Sequence, residues 1–357
     1  MKRNLKMNLL CRKVEELEEN MNNGMDMEKS GFVPSYKDVL TEEEIAAIPA
    51  DMFVPSEFDA KEAEKVSYSN YSYWRSTLKH FWKNKIVAVL VIALVALILF
   101  TIIQPYLPGQ RPATLINNDP TTGMHLRNLP PSSEFWFGTN DIGQDLWARI
   151  WAGTRTSLFI GIVVALSDLV VGMILGLIWG YVRKVDKIFT ELYNIISNIP
   201  QTLILILVSY ILRPSLTTII ISMCMVGWIA MARFVRNQVI FIRDRDFNLA
   251  SRCLGSSTGK IIVRNLIPQL VSVVSLQTVL AIPGAMGDEV FLTYIGLGLP
   301  VSIPSLGNLV NDGRVLMMSE PLRYQLLFPA AVIAFITIAF YVIGNAFADA
   351  SDPKNHV

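Results

Sequence analysis

The stretch LGSSTGKIIVRNLIP, Leu254 to Pro268, is where this chain comes nearest to a phosphate-binding loop. Gly255 and Gly259 stand ahead of Lys260, and an apolar run follows. A nucleotide cradle needs four residues between its glycines, and Ser or Thr after the lysine to ligate Mg2+. Here three residues intervene, Ser256 to Thr258, and Ile261 follows the lysine. The preceding DFNLASRC is not an apolar strand. ATP binding at this stretch is therefore excluded, and no cofactor or metal is assigned to the chain itself. The other reactive side chains are as sparse. His80, His125 and His356 lie outside the apolar runs, Cys11, Cys224 and Cys253 lack metal-ligand spacing, and no HExxH zinc motif occurs. No nucleophile–base set is visible, so an intramembrane enzyme is not expected. What remains is three carboxylates inside or beside apolar segments, Asp168 and the Asp288–Glu289 pair. Buried carboxylates in a membrane are costly and face protein or water. Asp168 is a pathway candidate together with Ser167, Asn198, Gln201 and Gln277, while Asp288 and Glu289 are expected at the outer interface.

The elements that must hold these residues are apolar. The 357 residues are 52% hydrophobic and only 17% charged, against about 25% charged in soluble domains. Six spans are expected, near 86–103, 156–181, 193–212, 217–239, 269–292 and 326–348. The first, IVAVLVIALVALILFTII, begins too late for a signal peptide and should remain as an anchor. Pro200 interrupts the third. Basic residues orient the chain. Lys79, Lys83 and Lys85 precede the first span, Arg183, Lys184 and Lys187 follow the second, and Arg243, Arg245, Arg252, Lys260 and Arg264 follow the fourth. Only Arg314 and Arg323 lie between 293 and 325. Both termini are expected in the cytosol, with loop 104–155 outside. Residues 1–67 read as a partly disordered cytosolic tail, 68–85 as an interfacial amphipathic helix with Trp74, Leu78, Phe81 and Trp82 on one side, and 351–357 as a cytosolic C-terminus. Met21, Met25 and Met27 leave the translation start open. The net charge of +1 gives no nucleic-acid footprint.

Two features concern packing and docking. Gly172, Gly176 and Gly180 form a GxxxGxxxG row that lets a second backbone approach closely; tight packing is the simpler reading and a moving helix the alternative. Between the fourth and fifth spans, Asp246 is a candidate N-cap, and Phe247, Ala250 and Leu254 share one helix face. Gly255 sits at a helix end, Ser256 or Ser257 caps a second short helix, and Pro268 opens the fifth span. That helix–turn–helix carries a small apolar surface suited to a partner's groove.

Three stretches resemble ABC importer permeases. DFNLASRCLG…NLIP is similar to their EAA loop: Leu249, Ala250 and Ser251 stand at the E-A-A positions, Gly255 at the glycine, and Asn265, Ile267 and Pro268 in the closing motif. Leu249 replaces the acid. FWFGTNDIGQDLWARIWAGTRTSL resembles a segment of oligopeptide and dipeptide permease C-type subunits through Gly138, Thr139, Asp141, Gly143, Asp145, Arg149, Gly153, Arg155, Ser157 and Leu158, with Gln144 in place of arginine. IPGAMGDEVFLTYIGLGLPVSIPSLGNLVNDGR resembles a second through Pro283, Glu289, Leu292, Gly296, Gly298, Pro304, Gly307 and Arg314, with Thr293 and Leu306 departing. The resemblance covers about residues 70–352, and the tail looks like that of Gram-positive oligopeptide members. It implies an all-α membrane protein of six transmembrane helices with the type I importer, MetI-like, permease fold. It implies a bacterial plasma-membrane subunit that forms half of an oligopeptide pathway and hydrolyses nothing. The implied partners are a B-type second permease, two cytosolic ATPase subunits that use ATP and Mg, an extracellular lipid-anchored binding protein, the peptide, and membrane lipid. The residues implied for ATPase coupling are Phe247, Leu249, Ala250, Ser251, Leu254, Gly255, Ser256, Lys260 and Pro268. A dipeptide or nickel permease of the same family, and a secondary transporter, are the alternatives.

Overall fold

The structure, a computed structural model, describes residues 73–212 and 214–351. The expected tail 1–67 and nearly all of 351–357 lie outside the described residues. Among the described residues the elements are helical, with three isolated β-bridges in the loop after the first span. Helix α1 is Tyr73–Lys83, and α2, Lys85–Ile103, follows one residue later. Asn84 separates them by capping α2, its Oδ1 accepting from Ile86 N at 3.1 Å. Nineteen residues at about 1.5 Å each match a hydrocarbon core. Only 17% of the α2 apolar window is buried, against 39% for the next helix, so α2 is peripheral and most of its apolar side chains are exposed.

Helix α3 runs Leu146–Tyr181, 36 residues, and begins ten residues before the expected second span. Asp145 starts it, accepting from Trp147 N at 3.0 Å. Trp147 and Trp151, one turn apart, pack on Phe100 of α2, with ring centroids 5.9 and 4.7 Å away. This aromatic cluster holds the extra turns at the end of the span, where amphipathic rings are favoured.

The expected third span is two helices, α4 (Arg183–Ser197) and α5 (Gln201–Ile211), bent by 76° at Ile199–Pro200. Proline removes a backbone donor and disfavours helix at the preceding residue. Among the described residues five helices are long and apolar enough to cross a membrane, or six if this bent pair counts as one span. Packing favours six. Along α3 and α6 (Leu216–Arg243), Asp168 faces Gly227, Gly172 faces Met231, Gly176 faces Val235 and Gly180 faces Val239. The two helices therefore run parallel, and the chain between them must return across the layer through α4 and α5.

Helix α7 is Asp246–Cys253. The next run is continuous from Thr258 to Tyr294: α8 (Thr258–Ile261), a π-helical turn (Ile262–Leu266) and α9 (Ile267–Tyr294). Pro268 thus lies within the run rather than opening a separate span. Helix α10 is Leu306–Val315 and α11 is Tyr324–Ser351. Buried apolar side chains form three clusters, one under α2, α3, α9, α10 and α11, one around α3, α5, α6 and α9, and one where α3, α6 and α9 meet near α7.

Candidate functional site

Three places gather the residues singled out by sequence. The first is the hairpin after α6. Helix α7 ends in a complete Schellman motif: Ser256 N donates to Ser251 O at 3.0 Å and Gly255 N to Arg252 O at 2.9 Å, with Gly255 at φ +77°. Only glycine takes that left-handed conformation without cost. The start differs from expectation. Arg245 occupies the N-cap position with no side-chain cap bond, and Asp246 is the first helical residue. Its charge there complements the helix dipole instead.

One side of α7 is tied down by polar groups. Asn248 is fully buried; its Nδ2 donates to Ile242 O at 2.8 Å and its Oδ1 accepts from Asn265 Nδ2 at 3.0 Å. Asn265 also reaches Ser251 Oγ at 3.1 Å, and Arg252 Nη2 donates to Arg243 O at 2.8 Å. Ser251, at the third position of the EAA-like triplet, therefore joins the closing NLIP motif. Sequence reasoning missed Asn248, whose signal is a lone amide beside the apolar face of α7. The opposite side is bare: Phe247 is 40%, Leu249 42% and Leu254 86% exposed. Ala250, Lys260 and Pro268 are exposed as well, and Ser256 is half-buried. No Gly-x-Ser-x-Gly elbow is expected from the sequence, yet residues 255–259, GSSTG, do spell that pattern. A nucleophile elbow needs a strand before the serine. Here a helix precedes it and Ser257 is the N-cap of α8, so the geometry excludes that chemistry.

The second place is a cavity of about 150 Å3 between α3, α5, α6 and α9. Asp168, Gln201 and Gln277 line it as the pathway reading requires; Ser167 and Asn198 do not. Asn198 is exposed and donates to Asn194 O at 2.7 Å. Asp288 joins the lining. Asp168 heads the glycine row: residues 168, 172, 176 and 180 recur every fourth position along α3. A Cβ on Gly172 would sit 2.6 Å from Met231 Cβ, on Gly176 2.6 Å from Ala232 O, and on Gly180 2.7 Å from Val239 Cβ. This is the close backbone approach that the row predicts.

The third place is the end of the helices away from α7. Glu289 is fully buried by protein. Ser157 Oγ donates to its Oε2 at 3.0 Å and Thr293 Oγ1 lies 3.3 Å from its Oε1. Leu306 N donates to Ser157 Oγ at 3.1 Å, and a Cβ on Gly307 would fall 2.6 Å from the carboxylate. The carboxylate thus sits against the N-terminus of α10, where negative charge is favoured. Thr293 supplies the hydroxyl expected of serine there. In the preceding loop, Thr139 Oγ1 donates to Leu126 O at 2.6 Å and accepts from Leu129 N at 2.9 Å. Gly138 and Gly143 take φ of +78° and +88°. Burial pushes the Asp145 carboxyl up, and its bond from Trp147 N pulls it down. Asp141 is exposed and contributes no cap. Arg149 is fully buried and donates to Gln144 Oε1, so Gln144 at the family's arginine position acts as an acceptor.

Long apolar helices, two of them locked in parallel by glycine around a polar cavity, define a multi-pass membrane protein. The family model described as "Binding-protein-dependent transport system inner membrane component" matches residues 169–357, and that for the "N-terminal TM domain of oligopeptide transport permease C" matches residues 72–131. The chain is 36% identical over 296 residues to an oligopeptide transport system permease protein, AmiD, of Streptococcus pneumoniae, covering 82% of this chain and 94% of that one. It is 36% identical over 308 residues to the oligopeptide permease protein OppC of Bacillus subtilis, covering 86% and 98%. It is 34% identical over 323 residues to the dipeptide permease protein DppC of the same species, covering 90% and 98%. The chain belongs to the binding-protein-dependent transport permeases, with their all-helical importer fold.

Proposed function

We propose that the chain forms half of the translocation pathway of an ATP-driven oligopeptide importer. Its partners in this reading are a second, B-type permease, two cytosolic ATPase subunits and an extracellular lipid-anchored binding protein. Both termini and the α7 hairpin face the cytosol. ATP and Mg act in the ATPases, and this chain transmits their closure to its spans. The observation that carries the reading is the two-sided α7 hairpin: Asn248, Ser251 and Arg252 fasten it to α6 and to the π-helical turn before α9, while Phe247, Leu249 and Leu254 are exposed apolar side chains. A rigidly tied helix with a bare apolar side suits a partner's groove. Leu249 in place of an acid makes this contact apolar rather than ionic. The loop then biases α6 and α9 between inward and outward access.

The test is Gly255→Glu in the assembled complex. A charged side chain with a strained backbone at that turn should abolish ATP-dependent peptide uptake and weaken ATPase association. Retention of both contradicts the coupling role. The dipeptide relative favours a second reading, in which the cargo is a dipeptide. Competition of unlabelled peptides of two to six residues against a labelled pentapeptide separates the two.

A further inference from the structure

The cavity between α3, α5, α6 and α9 has a one-sided chemistry. Among its lining residues Asp168 and Asp288 carry carboxylates, Gln201 and Gln277 carry amides, and none carries a cation. Asp168 is 7% exposed, and its Oδ1 is buried without a hydrogen-bond partner. Such an acceptor inside a membrane span is costly and calls for a partner. The opposing helix keeps room for it: a Cβ on Gly227 would collide with the Asp168 carboxylate. About 150 Å3 is space for a small charged head group and some water.

The geometry points to a binding site for a primary ammonium group, which donates its hydrogen bonds to Asp168 and Asp288, with the Gln201 or Gln277 carbonyl as the third acceptor. An ammonium has three donors and no acceptor, and so matches a lining rich in acceptors. Its charge balances carboxylates that have no cation beside them in the cavity lining. The assignment rests on the peptide-permease reading, since a peptide brings such a group either at its N-terminus or on a lysine side chain. Cationic heads would then be held midway along the path, and peptides lacking one would pass without that stop.

The experiment uses the complete complex without the extracellular binding protein, and fluorescent pentapeptides at neutral pH. One peptide has a free N-terminus and no lysine, the second is its N-acetylated form, and the third is N-acetylated with one lysine. The wild-type complex should bind the first about tenfold more tightly than the second, the effect of one charge-assisted hydrogen bond. Asp168→Asn, which keeps the shape, should erase that preference, and Asp288→Asn should reduce it. Tight binding of the third peptide identifies a lysine head as an equivalent source; weak binding restricts the site to the N-terminus. Equal affinities for the first two peptides in wild type, an unchanged ratio in both variants, or no measurable binding overturns the site. Vanadate-sensitive uptake of the same peptides, measured in vesicles with the binding protein added, separates the two claims. Intact uptake without the preference sinks only the site, whereas no ATP-dependent uptake sinks the underlying reading.

Discussion

Glycine does opposite work in two regions of this protein. On α3, Gly172, Gly176 and Gly180 have ordinary helical backbone and are required by what lies against them, since any Cβ would meet α6 at 2.6–2.7 Å. In the α7 hairpin, Gly255 has nothing within 4 Å of a would-be Cβ and is required only by its own φ of +77°. The first region is a lock between spans. The second is an exposed turn fixed by its own backbone. The difference teaches that stability and coupling reside in separable places, and substitutions should separate them.

The largest effect should come from the lock. Gly176→Val drives two methyls into Ala232 and Val235 and should cost about 3 kcal/mol or more. The measurable result is loss of monodisperse protein and a large fall in melting temperature in detergent. Next comes the anchor at the end away from α7. Glu289→Ala strands the Ser157 and Thr293 hydroxyls and should cost about 2–3 kcal/mol, with Glu289→Gln costing less because the shape and one acceptor remain. Thermal unfolding of the two variants side by side checks the order. Gly255→Ala should cost only about 1 kcal/mol, the penalty of a left-handed alanine, and should shift the melting temperature slightly while reducing uptake. The smallest stability effect belongs to Leu254→Asp. That side chain is 86% exposed, so stability should move by no more than about 0.5 kcal/mol, yet peptide uptake should fall sharply. A Gly176 variant that melts like wild type, or a Leu254 variant that transports like wild type, would break the comparison.

The apolar runs made α2, α6 and α11 legible, because an uninterrupted 18- to 20-residue stretch has few alternatives in a membrane. The start of α3 was not legible. LWARIWAGTR reads as a polar loop end, and what makes it helical is the Asp145 cap and the aromatic stack with Phe100, both of which depend on distant residues. Charges in RKVDKIFTELYN hid α4 for a similar reason, although Pro200 correctly marked the break that follows it. Gly255 could be read from its place after a short apolar face, since turn chemistry is local. The convergence of Asp168 with Asp288 could not, because it depends on α9 packing against α3, two helices far apart in the chain. The burial of Glu289 was not legible either, because its partner Ser157 lies far away in sequence.

The claim that the bare side of α7 meets the ATPase is tested most directly by contact. A photo-crosslinking amino acid placed at residue 254 in the assembled complex should, on illumination, capture an ATPase subunit, and the yield should change when ATP and vanadate are added. The same probe at Asn248, on the tied-down side, should capture only segments of this chain. Crosslinks from residue 254 that stay within the permease, or that never include an ATPase subunit in any nucleotide state, would contradict the account.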